Sequence, residues 1–226
     1  SIQHLLVSQD YINNLTYGVN NVSFDTPENV QAAQILLDWS KAGYFTDGYP
    51  GIGYDDSNNL FKSGQGAMTI TGSWLTAELL TGTDQQFGFF LMPPYSGKTA
   101  MSICGVGIPF SIRKTSLEPE LSAEYLNWMI SPRAAELWAE AGMLPAMNLP
   151  ADTKVDTKGL FGDTLNAWNT INKNNLVGHY IDWATPTFGD TLTAELQKLL
   201  GGITTPADFA AAVEKDYSAY LAEQSQ

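Results

Sequence analysis

Apolar residues recur at helical spacing along much of the chain. Val30, Ala33, Leu36 and Leu37 mark one such face. Phe24-Asp25-Thr26-Pro27-Glu28 opens it: Asp25 or Thr26 can cap the free amides, Pro27 has a preset φ, and Glu28 suits the positive helix end. Gly43 closes it. Tyr54-Asp55-Asp56-Ser57 opens a second helix running toward Phe61, with Asp56 or Ser57 as its cap. The pattern also predicts a helical stretch from Trp74 to Leu80. It predicts a helix over 117–130, with Pro119 in its first turn and Leu121, Tyr125, Trp128 and Met129 on the buried side. Further helices are expected from Ser131-Pro132 to Ala141-Gly142, over 161–171, and over 187–200. The last follows Thr205-Pro206-Ala207-Asp208 and repeats Phe209, Val213, Tyr217 and Leu221 on one face.

Strand-like runs lie between these helices. They are expected over 67–71, over 87–92 up to Pro93-Pro94, and over 101–112, the last broken by Gly105 and Gly107. The segment 2–7 fits helix or strand, and His4 within it reads as a structural histidine. Residues 13–21 and 172–178 read as polar turns, and 44–53 as a Gly/Pro/aromatic loop. The chain is therefore of the α/β class, with no internal repeat.

Composition narrows the function. Of 226 residues, 44% are hydrophobic and 15% charged, which predicts a packed globule of one large domain or two lobes. The net charge of -13 argues against nucleic acid and anionic membrane surfaces, which need clusters of Lys and Arg. With one cysteine, Cys104, no internal disulfide forms. No His or second Cys neighbours it in sequence, so neither a zinc site nor an activated thiol is indicated. No apolar run approaches the ~18 residues of a membrane span. Ser1-Ile2-Gln3 reads as an internal start.

The stretch 60–74, LFKSGQGAMTITGSW, carries the most specific signal. A helix end passes through a turn containing Gly64 and Gly66 into a β-type run, then reaches the corner Gly72-Ser73, which presents Trp74. A Trp held there suits a flat apolar platform better than core filler. Trp39, Trp128, Trp138 and Trp168 sit at helical spacing and read as core. Trp183 lies at a segment end beside Asp182, much as Trp74 lies beside small residues.

Catalytic signatures are weak. There is no phosphate-cradling loop, no paired His on one helix turn, and no nucleophile elbow at Gly72-Ser73-Trp74. Asp55 and Asp56 are imaginable as a carboxylate pair, but adjacent residues at a helix start point in different directions. Sugar binding has positive support. A sugar offers an apolar C–H face and a hydroxyl rim, which aromatic rings and Asp, Asn or Gln side chains match.

The segment from Phe61 to Trp74 resembles the F-x-x-G-x-x-A-M-x-x-x-G-x-W stretch of extracellular solute-binding proteins of carbohydrate ABC transporters, the maltose-binding-protein-like group. Phe87-Gly88-Phe89 to Pro93-Pro94 resembles a family strand, and Gly105-Val106-Gly107-Ile108 its Gly-rich crossing strand. Lys114 to Trp138 is similar to its helix pair, followed by Leu144-Pro145, and Thr204-Thr205-Pro206 with the last helix resembles its carboxy-terminal helix. The resemblance runs over nearly the whole chain.

It implies a periplasmic-binding-protein type II-like fold, represented mostly by the carboxy-terminal lobe with part of the amino-terminal lobe. Residues 1–103 and 151–226 would belong to the former, and 104–150 would cross to the latter and supply its incomplete helix pair. The chain would be a carboxy-terminal fragment whose amino-terminal portion is a missing partner. The implied activity is non-catalytic binding of a sugar or oligosaccharide in a cleft for delivery to the membrane permease subunits of an ABC importer. The protein would be exported, as a periplasmic protein or cell-surface lipoprotein, without cofactor or metal. By the same resemblance Trp74 stacks on the sugar, and Tyr54, Asp55, Gly72, Ser73, Cys104, Gly105, Asp182, Trp183 and Phe188 are candidate ligand contacts. The alternatives are a carbohydrate-active hydrolase using Asp55, Asp56 or Asp182, or a cell-surface carbohydrate-recognition module.

Overall fold

A computed structural model describes residues 1–81, 83–97, 100–105 and 109–224. Its helices are α1 (Gln9–Tyr17), α2 (Pro27–Lys41), α3 (Tyr54–Lys62), α4 (Thr76–Leu79), α5 (Pro119–Met129), α6 (Pro132–Glu140), α7 (Gly159–Lys173), α8 (Phe188–Leu200) and α9 (Pro206–Gln224). Strands β1 (Ser102–Ile103) and β2 (Val177–Gly178) pair in parallel, Ser102 opposite Val177 and Ile103 opposite Gly178. The contacts divide the chain into two compact units. The first comprises Ser1–Gly53, Met92–Gly105 and Ile171–Gln226; the second comprises Tyr54–Leu91 and Val106–Thr170. Residues 54–91, expected alongside 1–53, thus cluster with Val106–Thr170.

The first unit holds the main core. Helices α2, α8 and α9 pack on one another, burying Phe24, Ala33, Phe188, Leu199, Phe209, Val213 and Tyr217 together with Leu15 of α1. Phe24 meets Phe188 edge-on at 5.6 Å, and the Tyr217 hydroxyl donates to the Leu15 carbonyl at 2.9 Å. Thr26 caps α2 by accepting from the Asn29 amide, with Pro27 at the first helical position, as the sequence dictates. Residues 13–17, expected within a polar turn, instead belong to α1, while 18–21 leave it as a turn. Ser8 caps it and Gly18 ends it in the left-handed region at φ 63°. Burial of Ile12 and Leu15 on one face outweighs the low helix propensity of Asn13 and Asn14. The 2–7 segment forms a buried single-turn helix over Gln3–Leu5.

In the second unit Leu75, Leu79 and Leu160 form a smaller core, flanked by Phe61, Phe87 and Phe89. Helix α3 begins at Tyr54, so Asp56 and Ser57 lie inside it rather than capping it. Ser131 caps α6 by accepting from the Ala134 amide. Two expectations fail here. The runs 67–71 and 87–92 are not strands, and of the run 101–112 only Ser102–Ile103 is strand. Val106, Gly107 and Ile108 of the expected crossing strand lie outside the described residues. A strand exists only when its amides and carbonyls find a ladder partner, and these runs find none among the described residues. The expected buried face of α5 is also open. Leu121, Tyr125 and Trp128 are all exposed, with the Tyr125 and Trp128 rings stacked at 6.1 Å.

Candidate functional site

In the second unit, Trp74 sits in a single 3₁₀ turn, Ser73–Leu75, leading into α4. Leu75 is buried and anchors the turn, while Trp74 is 55% exposed. The indole is nonetheless held. Its Nε1 donates to the Tyr54 hydroxyl at 2.5 Å, and Tyr54 is the first residue of α3. The six-membered half of the indole lies so close over Gly72 that a β-carbon there would come within 2.1 Å of Cζ3. Gly72 has an ordinary extended backbone, φ -111° and ψ 172°, so glycine is needed for ring clearance and not for a special turn. This corrects the reading of Gly72 as a sharp bend. The hydrogen bond from Trp74 holds the Tyr54 phenol below its ordinary pKa. The structure thus brings Tyr54, Gly72, Ser73 and Trp74 together, with exposed Asp55 next on α3.

In the first unit a second aromatic group gathers around the end of β1. The Cys104 amide donates to the Gly178 carbonyl at 2.9 Å, and its thiol donates to the Ser102 carbonyl. Burial raises the Cys104 pKa, which leaves the thiol protonated and suits a structural role. At Gly105 the missing β-carbon leaves a gap whose edges are Trp183 and His179, each 3.7 Å from where that carbon would stand. Trp183 is 48% exposed and leans on Tyr180, ring centres 5.0 Å apart. His179 meets the exposed Tyr17 edge-on at 5.4 Å, with a hydroxyl-to-Nε2 distance of 3.4 Å. Asp182 is exposed and lines a pocket with Tyr180, Ile181 and Ile103. Sequence reasoning missed Tyr17, His179 and Tyr180. The run His179-Tyr180 ahead of Trp183 was a signal for two of them. Tyr17 had none, because its partner lies far along the chain.

Phe188 is a correction. It is 0% exposed, packed between Phe24 and Tyr217, and offers no surface to a solute. Its place at the start of α8 puts it on that helix's inward stripe.

Asp55 and Asp56 follow one another in the first turn of α3, and their side chains diverge by roughly 100° around the helix axis. No cluster of His, Cys, Asp and Glu able to hold a metal ion occurs among the described residues. What the Trp74 group offers is an apolar ring face beside a phenolic hydroxyl, which suits a solute with both C–H faces and hydroxyls.

Residues 4–158 match the sequence profile of bacterial extracellular solute-binding proteins. Among solved structures the chain is similar to a chitin oligosaccharide binding protein, at 22% identity and a TM-score of 0.76, with 99% of this chain covering 56% of that one. It is similar to an ABC substrate-binding protein from Listeria monocytogenes in complex with cycloalternan, at 16% identity and a TM-score of 0.71, covering 98% and 57%. A cyclic alpha-maltosyl-1,6-maltose binding protein from Arthrobacter globiformis follows at 20% identity and a TM-score of 0.65, covering 94% and 55%. No curated protein sequence matches the chain. At these identities the likeness is one of fold, and the fold is of the periplasmic-binding-protein type expected from the sequence. The chain spans little more than half the length of these proteins.

Proposed function

The chain belongs to the bacterial extracellular solute-binding proteins, and from that membership we propose that it is the part of a longer binding protein that captures a sugar or oligosaccharide on Trp74. The observation that carries the proposal is the exposed indole, held against Gly72 and by Tyr54 with a ring face available to a pyranose. The neighbours' ligands, a chitin oligosaccharide and cyclic glucans, are carbohydrates and support it. Trp183 beside Gly105 gives the first unit an aromatic surface of the same kind. Binding in the longer protein, with the amino-terminal portion supplying the opposing wall, would favour a closed arrangement because the solute touches both walls at once. Permease subunits of an ABC importer would read that closed state. The protein acts outside the cytoplasm, as a periplasmic protein or anchored lipoprotein. Tyr54, Asp55 and Ser73 are the further contacts of the Trp74 group, and Gly105, Asp182 and Trp183 are a separate candidate surface on the first unit.

Isothermal calorimetry against chitin oligosaccharides and cyclic α-glucans tests the proposal in the longer protein. Trp74→Ala weakens binding by about 2 kcal/mol or more, as expected for a central aromatic anchor. An unchanged dissociation constant removes Trp74 from the site.

A further inference from the structure

We propose that Tyr54 and Gly72 are positioning residues that lock the Trp74 indole in one orientation, leaving Tyr54 to donate its own hydroxyl proton to an oxygen of the solute stacked on that ring. The second half rests on the carbohydrate reading above; the first half stands without it.

Indole has one polar group, the Nε1–H donor. Here it is spent on the Tyr54 oxygen at 2.5 Å. Trp74 therefore has no hydrogen bond left for a solute, and what it presents is a face. The Tyr54 oxygen becomes an acceptor toward Trp74 and keeps its one proton. Tyr54 is 57% exposed, so a solute can reach that proton. Pairing of this kind favours a solute with an oxygen acceptor at the edge of an apolar face, and disfavours a wholly apolar ring of the same size.

Gly72 does the complementary steric work. A β-carbon at this position would stand 2.1 to 2.5 Å from Cζ3, Cη2 and Cε3 of Trp74. No real contact survives at that distance, so any side chain must expel the ring. The backbone at Gly72 is one every residue adopts, so alanine is tolerated by the chain and refused by the indole alone. One side of the indole is thereby fixed by a hydrogen bond and the other by backbone contact, although the ring is more than half exposed.

The experiment measures the motion of Trp74 directly. Each chain is compared with its own Trp74→Phe counterpart, and the difference in time-resolved fluorescence anisotropy isolates this one of six tryptophans. The parent chain gives a Trp74 signal that tumbles with the whole molecule. Tyr54→Phe and Gly72→Ala each add a sub-nanosecond component while circular dichroism and the thermal midpoint stay at the parent's values. Tyr54→His, which restores an acceptor, recovers the slow signal. Unchanged Trp74 motion in both Tyr54→Phe and Gly72→Ala overturns the positioning role. A second arm titrates the longer protein with a chitin oligosaccharide and with a cyclic α-glucan. A Tyr54→Phe affinity at least tenfold weaker supports the directed hydroxyl, and one within twofold of the parent overturns it. Failure of every carbohydrate to bind the parent overturns the proposed function and the directed hydroxyl together, and leaves the anisotropy result to decide the positioning role alone.

Discussion

At the scale of single residues, one buried contact sets how the chain tolerates acid. His4 is buried, its Nε2–H donating to the His179 carbonyl at 3.0 Å. Burial pushes its pKa down to about 4 from 6.5. The native state therefore refuses a proton that the unfolded chain accepts. Stability from this residue is complete above pH 6.5 and is lost as pH falls from 6.5 toward 4, by at most about 3 kcal/mol. Urea unfolding at pH 7.5 and pH 4.5 checks this: the difference between the two shrinks in His4→Gln. An equal loss in parent and variant assigns the acid sensitivity to other groups. His4 also read from sequence as structural, and its burial agrees. Gly72 and Phe188 were misread for one reason: sequence spacing reports which way a chain can turn, and not which distant ring will lie against it.

At the scale of elements, helices other than α1 were legible and strands were not. Thr26-Pro27, Ser131-Pro132 and Thr205-Pro206 each open a helix, because capping and a preset φ act within a few residues. The runs at 67–71 and 87–92 have strand composition without strand structure, since a ladder needs a partner from elsewhere. Helix α5 makes the same point for packing. Its period is helical as expected, yet Leu121 is 62% exposed and Tyr125 is bare beside it. Large bare apolar patches attract hydrophobic probes. We expect Leu121→Ser combined with Tyr125→Ser to change the unfolding free energy of this chain by no more than about 0.5 kcal/mol. Binding of an apolar fluorescent dye falls in the same variant. A loss of 2 kcal/mol or more in urea unfolding shows that this face is packed in solution.

At the scale of the whole molecule, the chain belongs to a family of solute-binding proteins, and the function proposed for it is capture. Prolonged incubation of oligosaccharides with the chain leaves their masses unchanged, and Asp55→Asn makes no difference to that result. Hydrolysis products that vanish in Asp55→Asn would restore the hydrolase alternative. The acidic balance of -13 adds a general point: the surface repels polyanions and poses no obstacle to neutral sugars. The sequence by itself determined most of the helices, the caps at Thr26 and Ser131, the family and the prominence of Trp74, since each depends on residue types at short, fixed separations. Tertiary structure alone decided that Tyr54 holds the indole, that Gly72 makes room for it, that Tyr17 joins His179 and that Phe188 disappears into the core. Those outcomes depend on which side chains meet across long stretches of chain, and close packing, which no local pattern encodes, settles them.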